Sequence, residues 1–288
     1  MTALLELEEV TAGFGSNQVL HGVTLALEAG RTGVLLGLNG AGKSVTLKTI
    51  SGLVPSWGGA IRLAGRELSR LEAEDRMRAG LGHVLQSKAV FPYLSVAENL
   101  RLGGAIVRDK RRFRENLERV HTIYPRLHDR SRQQAGSLSG GEQAMLAVAR
   151  SLMADPQLLL IDEPSAGLSP KMVEQLGGTL RQVRETGTAL LMVEQNVGFG
   201  LEMADDVFVM EKGTVVYQGP AEDLERERVA SLLGIGELLQ PVALNDAADA
   251  PDGADPLEHT GVVEAVVRGP GRRPRPLRAP GRAFGGEA

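Results

Sequence analysis

Cysteine does not occur anywhere in the 288 residues. That excludes disulfides, thiolate metal ligands and a cysteine nucleophile, and it fits a reducing compartment. Long apolar runs are also missing: the longest, Leu158–Ile161 and Ala189–Val193, are strand-sized, far short of the ~20 residues that span a bilayer. Met1 to Val10 carries Glu6, Glu8 and Glu9 and no basic start, so it does not read as a secretory signal. The expectation is a cytoplasmic chain that reaches a membrane only through another subunit. No sign of charge dominates, since 32 basic residues face 36 acidic ones for a net of -4. A nucleic-acid partner is therefore not expected without a local basic patch. His21, His83, His121, His128 and His259 show no metal-ligand spacing, and no internal repeat is visible.

What the chain does have is enough apolar content, 42%, for one large core or a core with a satellite. Leu4–Val10 alternates apolar and charged residues, and Val19–Leu27 is a second strand candidate. Val34–Leu36 leads into a glycine-rich loop, with a helix over Lys43–Ser51. Further on, Gly82–Leu85, Leu158–Ile161, Ala189–Val193 and Val207–Met210 read as strands. Helical stretches lie around Lys171–Arg184 and Val197–Met203. Strand, loop, helix, strand predicts an α/β fold: a mostly parallel sheet covered by helices, with an antiparallel β-subdomain at the N-terminus. From about Ser95 to Ala154 the pattern is helical, with Lys110–Arg119 exposed, and it reads as a subdomain inserted between strands. Trp57 reads as a surface or packing residue near a turn at Gly58-Gly59.

The main domain is expected to span residues 1–240. Residues 241–288 hold an acidic stretch from Asp246 to Glu258, then Arg268, Arg272, Arg273, Arg275, Arg278 and Arg282 among prolines and glycines. Such a segment buries too little apolar surface to offset its ordering entropy, so disorder is expected. The plain reading is a dispensable tail; the alternative is a basic arm for anionic lipid or RNA.

Three motifs carry the chemistry. Gly37-Leu38-Asn39-Gly40-Ala41-Gly42-Lys43-Ser44 has the P-loop spacing. Its glycines let backbone N–H groups turn onto phosphate oxygens, and the following helix points its positive end at the same anions. Asn39, Gly40, Ala41 and Val45 complete this contact, Lys43 reaches the terminal phosphates and the Ser44 hydroxyl suits Mg²⁺. Leu158–Ile161 delivers Asp162 and Glu163 at a strand end. Asp162 can hold Mg²⁺ through water, and Glu163 can polarise the water that attacks a γ-phosphate. The chain is thus expected to bind and hydrolyse ATP. The third motif, Leu138-Ser139-Gly140-Gly141-Glu142-Gln143, reads first as a capping box that starts a helix through Met153. Ser-Gly-Gly at a helix start is also an anion-ready terminus. One ATP does not need two such sites from one chain, so Ser139, Gly140, Gly141 and Glu142 are expected to serve the ATP of a partner subunit.

P-loop, Leu-Ser-Gly-Gly-Glu and Asp-Glu strand end, in that order, resemble an ABC transporter ATP-binding subunit over about Leu4 to Leu233. The resemblance implies a P-loop NTPase fold and two ATPs sandwiched head to tail between two subunits, whose closure and opening drive membrane permeases. It places Phe14 on the adenine and Gln86 in a loop that senses Mg²⁺ and faces the permease. It also places Ser165-Ala166-Gly167-Leu168 across the subunit boundary, and Gln195 where the family usually has His. A glutamine there can donate a hydrogen bond to the γ-phosphate but carries no charge and relays no proton. Ser169 stands where many relatives have Asp. Val193-Glu194-Gln195-Asn196 is similar to the ATP-binding subunits of branched-chain amino acid importers, which work with an extracytoplasmic binding protein and often a second, different ATPase chain. Gln86 is more like related amide and urea importers. Phe91, Pro92 and Tyr93 either receive a permease helix or pack the helical subdomain.

Two other readings are weighed. A soluble ABC-type ATPase acting on ribosomes or DNA would carry paired ATPase units or a long coiled coil; this chain has one P-loop, one signature and no heptad tract. A regulator that binds ATP without turnover is at odds with Glu163.

Overall fold

The computed structural model describes residues 3–86 and 90–224. The boundary near 240 and the tail beyond it lie outside the described residues. The chain begins with β1 (Ala3–Phe14), β2 (Asn17–Glu28) and β3 (Thr32–Leu36), then α1 (Lys43–Ile50). Next come β4 (Ser56–Leu63), β5 (Arg66–Glu67), α2 (Ala73–Arg78) and β6 (Leu81–Val84). Four helices follow: α3 (Val96–Gly103), α4 (Lys110–Ile123), α5 (Pro125–Asp129) and α6 (Gly140–Leu152). Then β7 (Leu158–Asp162), α7 (Pro170–Glu185), β8 (Ala189–Glu194), α8 (Val197–Met203), β9 (Asp206–Glu211) and β10 (Thr214–Pro220) complete the order.

The strands form a six-stranded sheet in the order β10-β9-β3-β8-β7-β6 and a four-stranded sheet in the order β2-β1-β4-β5. In the larger sheet every pair is parallel except β9–β10. Every residue of β3, β7 and β8 is buried. That is why these segments read as unbroken apolar runs: a parallel sheet is covered on both faces. Alternate side chains go to opposite layers. Val34, Leu36, Leu159, Ile161, Leu190 and Met192 face a core shared with α3, α6 and α7. Leu35, Leu158, Leu160, Leu191 and Val193 face a second core with the four-stranded sheet and α1. The architecture is α/β, as the alternation of elements predicts.

The small sheet corrects one expectation. Trp57, Gly58 and Gly59 do not form a turn; they lie inside β4, which pairs antiparallel with β1 through Thr11↔Gly58 and Ala12↔Ser56. The glycine at 59 answers a close strand approach. Its φ is 78°, and a Cβ there would lie 2.4 Å from the carbonyl oxygens of Glu8 and Glu9, which only glycine avoids. The Trp57 ring lies against Gly13 of β1.

The helix that follows the glycine loop is anchored at its far end. Arg76 of α2 is 2% exposed. It donates from Nη1 to the Thr49 and Ile50 carbonyls at 2.7 and 2.9 Å, from Nε to Leu71 O at 2.8 Å and from Nη2 to Ser69 O at 3.0 Å. A cation at the last turn of α1 satisfies its orphan carbonyls and complements its dipole.

Candidate functional site

The carboxyl ends of the parallel strands build the site. Register sets Leu36 of β3 beside Glu194 of β8, and Val193 beside Asp162 of β7. The chain leaves β3 into Gly37, so the glycine loop, Asp162 and Glu194 emerge along one edge, where open α/β sheets bind ligands.

Gly40 and Gly42 have φ of 83° and 104°, the left-handed region that glycine enters without steric cost. A Cβ on Gly37 would come within 2.5 Å of Met210 O. Gly42 caps α1 without a side-chain bond, and the first turn of α1 holds no acidic residue. Its N–H groups are therefore left for an outside anion. Lys43 is 5% exposed and curls back over the loop, donating from Nζ to Gly37 O at 2.7 Å and Leu38 O at 3.1 Å. Burial lowers its pKa, while Glu163, Asp162 and Glu194 oppose that shift. A lysine held over the loop by its carbonyls is positioned for phosphate oxygens.

Ser44 donates from Oγ to Asp162 Oδ1 at 2.8 Å. Asp162 is buried, which raises its pKa, and the Ser44 hydrogen bond works against that. A hydroxyl and a carboxylate side by side are the hard oxygen donors that suit Mg²⁺. Glu163 follows with φ 48°, a left-handed conformation that costs a non-glycine residue about 1 kcal/mol. Its N–H donates to Val193 O at 2.9 Å, which fixes the turn. Two amides converge on its carboxylate: Gln195 Nε2 donates to Oε1 at 2.5 Å, and Gln86 Nε2 donates to Oε2. The structure thus unites Lys43, Ser44, Gln86, Asp162, Glu163 and Gln195.

The other expected residues stand elsewhere. Phe14 ends β1 in the small sheet and is 54% exposed. Ser139 N-caps α6 in a complete capping box with Glu142. Glu142 also pairs with Arg130 at 3.0 Å. Gly141 packs under Met172 of α7; a Cβ there would sit 2.0 Å from the Met172 Cε. Tyr93 is 88% exposed, and the Arg150 guanidinium lies 5.0 Å from the Phe91 ring centre. The sequence reading missed Glu194. The only signal was an acid ending the apolar run Ala189–Val193. It is 1% exposed and accepts from Ser165 N and Oγ and from the N–H groups of Gln195 and Asn196.

The glycine loop, the Ser139 helix and the Asp162–Glu163 strand end all fall within residues 20–166, which match the family model described as ABC transporter. The chain belongs to the ABC transporter family. This ABC chain is 40% identical over 213 residues to the high-affinity branched-chain amino acid transport ATP-binding protein BraG of Pseudomonas aeruginosa, covering 74% of this chain and 91% of BraG. It is 33% identical over 231 residues to the probable branched-chain amino acid transport ATP-binding protein LivF of Archaeoglobus fulgidus, covering 80% and 98%. The fold is similar to the ADP conformation of an ATP-binding cassette of an ABC transporter, with a TM-score of 0.73 at 22% identity, covering 83% of this chain and all 100% of the other. The ABC chain carries the family's ATPase domain and is a nucleotide-binding enzyme. Among the described residues no helix is long and apolar enough to cross a membrane.

Proposed function

We propose that this ABC subunit hydrolyses ATP to energise an importer of branched-chain or other hydrophobic amino acids. The observation that carries the chemistry is the convergence of Lys43, Ser44, Asp162 and Glu163 at one sheet edge. The substrate class is supported by the 40% identity to BraG and the 33% identity to LivF.

In this reading the backbone N–H groups of residues 37–45 hold the phosphates and Lys43 neutralises their developing charge. Phe14 stacks on the base. Ser44, Asp162 and Gln86 would hold Mg²⁺, which would supply neutralisation of the phosphate charge. Glu163 takes the proton of the attacking water, and Gln195 orients Glu163 and the γ-phosphate. Ser139, Gly140, Gly141 and Glu142 close over the ATP of a second ABC ATPase, so ATP binding doubles as an association signal. Closure pulls on permease subunits that hold the chain at the cytoplasmic face of the membrane, beneath an extracytoplasmic substrate-binding protein.

Co-expression with the permeases encoded beside it, followed by reconstitution in vesicles, tests the assignment. A stable complex whose ATP turnover rises with a leucine-loaded binding protein is expected. A chain that purifies alone, with turnover indifferent to those partners, would sink it.

A further inference from the structure

The Glu194 carboxylate is buried at the edge of the site, yet its hydrogen bonds all come from neutral donors. Oε1 accepts from Ser165 N at 3.1 Å. Oε2 accepts from Ser165 Oγ at 2.8 Å, Gln195 N at 3.2 Å and Asn196 N at 3.4 Å. A carboxylate 1% exposed is a costly way to hold a loop that a neutral side chain could hold. Burial accordingly raises its pKa, with the Ser165, Asn196 and Gln195 bonds opposing. Its value lies in having two oxygens that bind two separate segments at once.

Those segments flank the Glu163–Gln195 bond. Ser165 is two residues beyond Glu163 and begins the segment Ser165–Leu168. Gln195 carries the amide that donates to Glu163 Oε1 at 2.5 Å. The bonds close a ring: Glu163 to Gln195 through side chains, Gln195 to Glu194 through the chain, Glu194 to Ser165 through its carboxylate, and Ser165 back to Glu163 through Pro164. Both outer strands of the ring are fixed by sheet pairing, Asp162 against Val193. Ala166 and Gly167 are exposed, so displacement can enter at that segment.

We infer that Glu194 is a positioning residue: it transmits the placement of Ser165–Leu168 to Gln195, and so sets Glu163 for catalysis only when that segment is seated. This rests on Glu163 acting as the base and on Ser165–Leu168 meeting a partner subunit. Neither Glu194 nor Ser165 touches the phosphates in this scheme. Their loss therefore affects turnover and leaves nucleotide affinity intact, as expected when an interaction serves only the reacting state.

The test compares the full-length wild type, Glu194→Gln, Ser165→Ala and the double variant. Steady-state ATP turnover, fluorescent-ATP affinity and thermal midpoint are measured for each. Glu194→Gln keeps the shape but replaces one acceptor by a donor facing donors. The expected result is a kcat at least about 10-fold lower, with KM and ATP affinity within about 2-fold of wild type. The double variant should be no slower than Glu194→Gln, because both changes cut the same link. An unchanged kcat overturns the inference, as does a parallel loss of kcat and ATP affinity, or effects that multiply in the double variant. If Glu194→Gln does not fold, Ser165→Ala carries the same split alone. A wild type that binds no ATP would instead overturn the proposed function itself.

Discussion

Gln195 reaches Glu163 across 32 residues of sequence, donating from Nε2 to Oε1 at 2.5 Å. An amide in this position holds the carboxylate without ever carrying charge. Turnover should therefore show no titration from this group near neutrality. Gln195→His introduces one with an ordinary value near 6.5. We expect the variant's kcat to vary with pH between about 6 and 8, where the wild type is flat. Superimposable pH–rate profiles would remove Gln195 from the reacting group.

Glu163→Gln should abolish hydrolysis, with a loss of roughly 10²- to 10⁴-fold, while ATP still binds and a dimer accumulates. Gel filtration with ATP reads the dimer, and persistent turnover would show that Glu163 is not the base. Lys43→Ala should act on the other side of the same chemistry, weakening ATP binding about 10- to 100-fold. Calorimetric titration checks this, and an unchanged affinity would contradict the assignment of the glycine loop.

Arg76 satisfies four carbonyls around the C-terminal end of α1 from a buried position. Arg76→Ala removes the donor from the Ile50, Ser69 and Leu71 oxygens, while Thr49 O keeps the Gly52 N–H at 3.2 Å, and should cost about 3 kcal/mol of stability. Arg76→Lys should rescue little, since one ammonium lacks the planar fork that spans the carbonyls. Urea midpoints of the three proteins decide it; a lysine variant as stable as the wild type would refute the fork argument.

Asp155 follows α6 and accepts from Arg112 at 2.8 Å and Arg119 at 2.6 Å on α4. Burial pushes its pKa up, but the hydrogen bonds and charges of these guanidiniums outweigh that and hold it below the usual 3.8. A depressed folded pKa stabilises above the unfolded value, and the gain is lost as pH falls through the folded one. Asp155→Asn should therefore lose about 1 kcal/mol at pH 7, and the gap should shrink towards pH 3. Denaturation of both proteins across that range is the measurement. A gap that grew on acidification would mean another group is responsible.

The parts of the fold legible in the sequence were those with a strong local period. Leu158–Ile161 and Ala189–Val193 became β7 and β8 because a strand buried on both faces must be apolar throughout. Ser139 with Glu142 gave the capping box of α6 because both partners lie within one turn. The strand β4 was obscured because Gly58-Gly59 punctuates it, and glycine there answers contact with the Glu8 and Glu9 carbonyls of β1. Glu194 gave only a faint local signal, an acid ending an apolar run, since its partner Ser165 is 29 residues away. Arg76 carries no local signal, since the Thr49 and Ile50 carbonyls it bonds lie 27 and 26 residues away.

By itself the sequence determined the groups proposed to react: the glycines and Lys43 proposed to turn N–H groups and a cation onto phosphate, Ser44 and Asp162 as proposed oxygen donors, and Glu163 beside them. These follow from residue chemistry and spacing within a few positions. Only the tertiary structure decided which groups meet. Ser44 and Asp162 are 118 residues apart, and Gln86 and Glu163 are 77 apart. They converge because parallel strands in the order β3-β8-β7-β6 end on one edge, and that order is set by the packing of two whole cores, which no short stretch of sequence encodes.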